Sequence, residues 1–160
     1  MKDSDRNVSA PFPPIDELLP HAGPMQLLEA VIAHDPECTR CRVEPSRSEL
    51  FRDATGRIPA WVGIEYMAQC IAAHGGLLAR ARGEAPRPGL LLGSRRLVFR
   101  QDAFEPGRTL EVRARHVAGH SEMLAFECVV LHPDEEAPLV EGRLNVLLPR
   151  DLAALGGNSG

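Results

Sequence analysis

The chain has 160 residues, of which 44% are hydrophobic and 25% charged, as expected for one soluble globular domain. Its formal net charge is −4 and its isoelectric point is 5.9, which excludes a broadly basic surface for nucleic acid. Aromatic residues make up only 4%, so few rings are available for stacking single-stranded bases.

The predicted elements begin after a polar, proline-ended tail over residues 1–13, which we expect to be flexible. Residues 14–19 are predicted as a short helix that stops at the following proline. Two neighbouring strands are predicted over residues 26–33 and 38–44. The polar residues, glycine and proline of residues 45–60 indicate a loop.

The most distinct element is one long helix, predicted from about residue 61 to residue 82. Its stretch from Trp61 to Ala79 contains a single carboxylic acid, Glu65, and a single histidine, His74. A helix that is apolar on nearly all sides is buried on nearly all sides, so we expect a sheet to wrap around it. That sheet would approach closely along a stripe of small residues at positions 68, 72, 75 and 79.

From Leu90 onward the hydrophobic pattern changes to a period of two, which is typical of half-buried strands. Residues 110–116 alternate most regularly, with leucine, valine, alanine and histidine at every second position. A hairpin turn is predicted at residues 118–120, followed by a strand over residues 123–132 and a last strand over residues 139–148.

One long helix followed by five or six mostly sequential strands predicts an α+β fold with an antiparallel sheet. We expect a single domain over residues 14–149 and a second flexible tail over residues 150–160. The first ten residues lack the apolar segment of a signal peptide, and no apolar run is long and uncharged enough to span a membrane. The cysteines, which we expect to be free thiols, predict a cytoplasmic protein, because thiols stay reduced in that compartment.

The chain contains four cysteines, and two of them, Cys38 and Cys41, have the CxxC spacing of a redox pair or half a zinc site. There is no second CxxC, and a strand through this segment would point the two side chains to opposite faces. We therefore expect free, mostly buried thiols in a reducing compartment, with no metal site.

Glu65 is the candidate catalytic residue because burying a lone carboxylate is expensive unless it is paired, protonated or facing a cleft. Gln69 lies four residues further on the same helix face, within hydrogen-bonding reach. Two interpretations stay open at this point. Glu65 is either a first-turn glutamate that caps backbone amides or a carboxylate used in general acid–base catalysis.

Three segments of the chain resemble the β-hydroxyacyl-acyl carrier protein (ACP) dehydratases. Glu65-Tyr-Met-Ala-Gln69 matches the Glu-x-Met-Ala-Gln that starts that family's central helix. Leu18-Leu-Pro-His21, followed by residues 23–29, is similar to its Leu-Pro-His entry into the first strand. Residues 99–110 resemble its Phe-Lys/Arg…Pro-Gly-x-x-Leu element. The longer string Pro59–Gln69 is still more similar to a divergent branch, predicted 3-hydroxyacyl-ACP dehydratases linked to polyene-type lipid synthesis.

This resemblance implies a hotdog fold, in which an antiparallel sheet of five or six strands wraps one long central helix. It implies a homodimer, or a heterodimer with another hotdog chain, with an acyl tunnel at the interface. The family removes water from a 3-hydroxyacyl chain carried on ACP, and the resemblance implies no cofactor. In that reaction a histidine takes the Cα proton and the helix carboxylate assists the departure of the hydroxyl group.

The resemblance assigns the acid–base role to Glu65. It also places the amides of Val62 and Gly63 against the thioester carbonyl, since the first amides of a helix lack intrahelical partners and glycine permits close approach. An arginine pair that includes Arg96 suits the acidic carrier or its phosphopantetheine arm. The candidate substrate-binding residues are therefore Pro59, Trp61, Val62, Gly63, Gln69 and Arg96.

The chain departs from the family at the position of the catalytic histidine. In the family that histidine lies fourteen residues before the glutamate, in a Gly-His-Phe-Pro loop. Here the position is Phe51, and residues 45–60 contain no histidine. Because elimination needs a base, we expect His21, which lies on a loop within a matched motif, to take this role. The alternative for His21 is a structural one, fixing the turn before Gly23.

The other histidines receive no catalytic role. His74 lies nine residues after Glu65, which places it on the opposite helix face, so we expect it in the core or in a dimer contact. The remaining four fall at strand ends or in turns and are expected to face solvent: His34, His116, His120 and His132.

Three functions remain open from the sequence. The first is dehydration of a 3-hydroxyacyl-ACP with Glu65 as the acid–base residue. The second is hydrolysis of an acyl thioester on the same fold, in which Glu65 activates water or attacks the carbonyl. The third is a non-catalytic, acyl-binding subunit of a heterodimeric dehydratase, which the missing loop histidine favours.

Overall fold

The computed structural model describes residues 12–149, so most of the first predicted tail and all of the second lie outside the described residues. The helices are α1 (Ile15–Leu18) and α2 (Val62–Ala81), with 3₁₀ turns at Gly23–Met25, Pro45–Arg47 and Glu49–Phe51. The strands are β1 (Leu28–His34), β2 (Cys38–Val43), β3 (Ile58–Pro59), β4 (Leu90–Phe99), β5 (Ala103–Phe104), β6 (Leu110–His120), β7 (Met123–Leu131) and β8 (Val140–Leu147).

Six strands form one antiparallel sheet in the order β1-β2-β6-β7-β8-β4, and β3 pairs with β5 in a separate two-stranded sheet. The long helix α2 lies against the six-stranded sheet, so the predicted α+β hotdog arrangement is confirmed. Within residues 12–149, no helix has both the length and the hydropathy needed to cross a membrane.

Helix α2 is the centre of the core, because twelve of its 20 residues are buried. Its apolar side chains meet the inward-facing residues of β2, β6 and β7, which are buried in the same cluster. Burying a large aliphatic or aromatic side chain stabilises the fold by roughly 1.5–3 kcal/mol, so this contact dominates the energetics. The residues from the three strands are Cys41, Val43, Leu110, Val112, Ala114, Phe126, Cys128 and Val130.

Helix α2 ends where the sequence supplies a glycine. Gly83 has a φ of +68°, a conformation that glycine adopts without strain. The amide of Gly83 donates to the carbonyl of Arg80, and the amide of Glu84 donates to the carbonyl of Ala79. These bonds satisfy carbonyls of the last helical turn, and the chain then turns towards β4.

Two buried hydrogen bonds join helix α2 to the structure around it. The hydroxyl groups of Tyr66 and Ser48 lie 2.7 Å apart, and Nδ1 of His74 lies 2.7 Å from Oγ1 of Thr39. Burial raises the pKa of Tyr66 to about 12, so the phenol stays neutral. Each bond pairs polar groups that would be costly to bury alone.

The predicted turn after β6 is wrong by two residues. Strand β6 continues to His120, which pairs with Met123, so the connection consists of Ser121 and Glu122. Gly119 lies within the strand with a φ of +83°, and a Cβ there would sit only 2.1 Å from the carbonyl oxygen of Met123. This glycine therefore permits close approach of two strands and does not form the turn.

The cysteines are free, and three of them, Cys41, Cys70 and Cys128, are buried, as predicted. Cys38 is half-buried on the outward side of β2, whereas Cys41 faces the core, so the CxxC spacing does not bring the two thiols together. Desolvation raises the pKa of Cys38, Cys70 and Cys128. Within residues 12–149, no group of histidine, cysteine, aspartate and glutamate is arranged to hold a metal ion.

Two adjacent glycines of α2 provide a test of how the helix packs. A Cβ at Gly76 would lie 3.0 Å from the carbonyl oxygen of Leu18 in α1, whereas a Cβ at Gly75 would meet no atom within 4 Å. Alanine is preferred over glycine inside a helix by roughly 0.5–1 kcal/mol. We expect Gly75→Ala to raise the free energy of unfolding by that amount. We expect Gly76→Ala to lower it by about 1 kcal/mol because α1 must move.

Urea denaturation of the two variants beside the unchanged chain measures both effects. Gly75→Ala is the matched control, since it adds the same methyl group one position earlier in the same helix. Equal stabilisation by both substitutions would contradict the close packing of α1 on α2.

Candidate active site

A cavity of about 690 Å³ runs along one side of helix α2. The helix contributes small side chains to its wall, namely the predicted stripe Ala68, Ala72, Gly75 and Ala79. The stripe therefore opens a cavity along the helix, and the prediction that the sheet packs closely against it is wrong. The facing walls are apolar, and their residues include Leu19, Leu91, Leu124, Phe126, Val146 and Leu148.

Glu65 and His21 line the same end of this cavity. Nε2 of His21 lies 3.5 Å from Oε1 of Glu65, and the two side chains are 29% and 36% exposed. Glu65 occupies the first turn of α2, and His21 lies on the loop between α1 and the 3₁₀ turn Gly23–Met25. Residues 44 positions apart thus form one pair of acid–base groups that solvent can reach.

The side chain of Gln69 holds this pair in place. Its Oε1 accepts from the amide of Leu27 at 2.9 Å, and its Nε2 donates to the carbonyl of Met25 at 2.7 Å and to Oε1 of Glu65 at 3.2 Å. The predicted contact between Gln69 and Glu65 is confirmed. Because Gln69 is completely buried and its amide is fully used, it positions the segment after His21 and is turned away from a bound molecule.

The two ring nitrogens of His21 have different surroundings. Nε2 faces Glu65, whereas Nδ1 is buried and has no hydrogen-bond partner among residues 12–149. Buried polar atoms in proteins are nearly always paired. Nδ1 of His21 is therefore an exception among the polar atoms of residues 12–149.

Pro59 and Trp61 do not line the cavity in this structure. Pro59 lies in β3 and pairs with Ala103. Trp61 is 55% exposed, and its ring packs edge-on against Phe51 with the ring centroids 5.7 Å apart. Phe51, which stands where the related dehydratases have histidine, is thus part of an aromatic contact outside the cavity.

The amides at the start of α2 are also placed differently from the expectation. The amide of Gly63 donates to the carbonyl of Ala60 at 3.0 Å, and Val62 is fully buried outside the cavity lining. A Cβ at Gly63 would lie 3.3 Å from the ring of Phe104. The glycine here makes room for a core aromatic ring, whereas the sequence predicted that it makes room for substrate.

Arg96 lies on β4, away from the cavity. It has a φ of +55° and, with Arg95 and Arg143, lines a separate depression on the sheet that contains no carboxylate. Glu65 and His21 are therefore the two predicted site residues that line the cavity.

Several residues of the cavity were missed or assigned elsewhere from the sequence. His74, predicted in the core, is buried there and also lines the cavity, and His116 lines it as well. The prediction that His34, His116 and His132 face solvent is wrong, since His34 and His116 are half-buried and His132 is buried. The alternation over residues 110–116 could have predicted the inward orientation of His116, because it places this residue on the same face of β6 as Leu110.

Comparison with known proteins places this site in a family. The model of the ApeP-like family, described as ApeP dehydratase, matches residues 13–156. A chain of the dehydratase heterocomplex ApeI:P from Xenorhabdus doucetiae is 33% identical, with a TM-score of 0.83, over 92% of this chain and 99% of that chain. No match is found among curated proteins.

More distant solved structures share the fold. Cj0977, a sigma28-regulated virulence protein from Campylobacter jejuni, is 20% identical, with a TM-score of 0.61, over 86% of this chain and 96% of that chain. A hypothetical thioesterase from Streptococcus pneumoniae, solved with coenzyme A, is 11% identical, with a TM-score of 0.56, over 75% of this chain and 84% of that chain. The match of the dehydratase model over most of the chain decides among these relatives: the chain belongs to the ApeP-like family of dehydratases.

Proposed function

We propose that this chain removes water from 3-hydroxyacyl thioesters carried on ACP, with His21 as the base and Glu65 as the acid. The observation that supports this most directly is the 3.5 Å contact between Nε2 of His21 and Oε1 of Glu65 at the end of an apolar cavity. Membership of a dehydratase family favours dehydration over the hydrolysis that other hotdog proteins perform.

The pair has the groups that an elimination requires. Nε2 of the neutral His21 takes the proton from Cα, and the electrons of that C–H bond form the double bond to Cβ. The bond from Cβ to oxygen breaks, and the hydroxyl group takes the proton of the Glu65 carboxyl and leaves as water. Because Nε2 and Oε1 are 3.5 Å apart, the proton on His21 then returns to Glu65 and restores both groups.

The rest of the cavity suits the acyl chain. With the reacting carbons at Glu65, the chain extends along Ala68, Ala72 and Gly75, where small side chains leave room beside the helix. The apolar walls favour binding of the acyl chain through the hydrophobic effect, and they exclude water from the enoyl product. The arginines of the depression at Arg96 suit the acidic carrier electrostatically, so we keep Arg96 as a contact for the carrier.

The second candidate function, that of a subunit in a heterodimer, has its own support. Strand β4 is at the edge of the sheet, and its residues Leu90, Leu91 and Leu92 are exposed. A long apolar edge strand is a site for adding another strand. The related structure named above is a dehydratase heterocomplex. We propose that another hotdog chain pairs along β4.

Removing the carboxyl group of Glu65 tests the acid–base role. We expect Glu65→Gln to lower kcat for dehydration of 3-hydroxyacyl-ACP by about 10²–10⁴-fold, because the amide has no proton to give to the leaving hydroxyl. Formation of the enoyl product is followed by mass spectrometry. Glu127→Gln, which changes an exposed glutamate paired with Arg115 on the outer sheet face, is the control and is expected to leave kcat unchanged.

The same assay distinguishes hydrolysis from dehydration. Release of free thiol without enoyl product from the unchanged chain would overturn the dehydratase proposal in favour of a thioesterase. A Glu65→Gln variant with full dehydratase activity would show that this carboxyl group is not the acid.

Removing the amide group of Gln69 tests how the pair is held. Gln69→Leu leaves the Leu27 amide and the Met25 carbonyl without partners, so we expect the free energy of unfolding to fall by roughly 1–3 kcal/mol. We also expect kcat to fall more than KM changes, because Glu65 and His21 lose their alignment. Urea denaturation and steady-state kinetics measure the two effects, with Gln101→Leu at an exposed position as the control. An unchanged kcat would show that Gln69 supports the fold alone.

Supplying a partner chain tests the heterodimer. We expect the isolated chain to have low activity, and an added second hotdog dehydratase chain to raise kcat at least tenfold. We expect Leu90→Arg on β4, an exposed position outside the cavity lining, to abolish that gain, since a charge would be buried in the apolar interface. Arg42→Glu on the outward face of β2 is the control for a charge change elsewhere on the sheet. Full activity of the monomeric chain would contradict this proposal.

A further inference from the structure

His74 is a buried titratable residue that the proposed elimination does not use. It lies nine residues after Glu65 on α2, which is about 13.5 Å further along the helix axis. Its side chain is 2% exposed, yet it belongs to the lining of the cavity that holds Glu65. A polar ring is therefore part of the cavity wall, beside the apolar ring of Phe126.

A chain of hydrogen bonds fixes the orientation of this ring. Nδ1 of His74 and Nδ1 of His34 each lie 2.7 Å from Oγ1 of Thr39. A hydroxyl group has one hydrogen, so it donates to one imidazole and accepts from the other. The ring of His74 also packs edge-on between the rings of His34 and Phe126, with centroid distances of 5.3 Å and 5.6 Å.

These contacts leave Nε2 of His74 free for a molecule in the cavity. No residue within 12–149 makes a hydrogen bond to this atom, since Thr39 takes the other ring nitrogen. His116 lines the same section, but its Nε2 is used by the carbonyls of Ala118 and Gly119. A plain alkyl chain beside His74 would leave Nε2 buried and unpaired, which costs free energy.

The charge state of the His74 ring limits the kinds of ligand group that it can bind. Desolvation by burial lowers the pKa of His74 to about 4, so the imidazole is neutral at physiological pH. A neutral imidazole suits a neutral oxygen, whereas an anionic group would require a cation. Charged residues also line the cavity, among them Glu17, Arg82 and Glu84.

We propose that His74 is a specificity-determining residue that hydrogen-bonds a hydroxyl group near the far end of the acyl chain. The position of that hydroxyl rests on the proposed function, which puts the reacting carbons at Glu65. The preferred chains then carry an oxygen at least about 13.5 Å beyond those carbons, because the rise along the helix axis is the minimum separation of the two positions. Chains that end in a methyl group enter the same cavity and bind more weakly.

Binding of non-reacting probes tests this inference separately from catalysis. The probes are N-acetylcysteamine thioesters of lauric acid and of omega-hydroxylauric acid, which lack the 3-hydroxyl group and cannot be dehydrated. We expect calorimetry to show about tenfold tighter binding of the hydroxylated probe to the full chain, which corresponds to one buried hydrogen bond. Probes with shorter and longer chains should show a preference that peaks at one chain length.

Variants identify the group responsible for the preference. His74→Phe keeps a ring of similar size without Nε2, so we expect it to bind both probes equally. His132→Phe replaces a buried histidine outside the cavity and should keep the preference. Thr39→Val frees the ring of His74 and should weaken the preference without abolishing binding of either probe.

Equal binding of the two probes to the unchanged chain, or a preference that survives in His74→Phe, would overturn this inference. If His74→Phe does not fold, the chain-length series and Thr39→Val still test whether His74 recognises the hydroxyl group. A chain that prefers the hydroxylated probe but does not dehydrate 3-hydroxyacyl-ACP would refute the proposed function and support this recognition site.

Discussion

Burial of helix α2 is the constraint on which the rest of the structure depends. A helix enclosed on most sides must pair the polar groups that it buries. The desolvation penalty of an unpaired buried group is larger than the net stabilisation from one hydrogen bond. Tyr66 is paired with Ser48, Gln69 with the segment after His21, and Nδ1 of His74 with Thr39. Glu65 is hydrogen-bonded by Gln69 and also faces the cavity, and it is the carboxylate to which we assign chemistry.

The cavity follows from the choice of side chains on one helix face. Small residues such as Ala68 and Gly75 leave a gap that larger residues would fill, and the facing sheet supplies apolar walls. The chain belongs to the ApeP-like family, which is described as a dehydratase family. Phe51, at the position where the resemblance implied a catalytic histidine, packs against Trp61. In our proposal the base comes from another loop, and Gln69 holds that loop and Glu65 together.

The open edge of the sheet at β4 supports our proposal that a second chain binds. Strand β4 joins the sheet through β8 alone, so its other edge and the leucines at its start are open. Pairing of that edge would bury apolar surface and satisfy backbone groups in one step.

Local patterns in the sequence determined the elements of this protein. Apolar periodicity predicted α2 and most strands within a few residues, and helical spacing predicted the contact from Gln69 to Glu65, since both depend on residues close in the chain. The motif around His21 suggested the base, but only the tertiary structure decided that its ring lies 3.5 Å from Glu65. Packing also decided that Gly63 admits Phe104 and that His74 joins Thr39, because such contacts connect residues 35 or more positions apart, beyond the range of any local pattern.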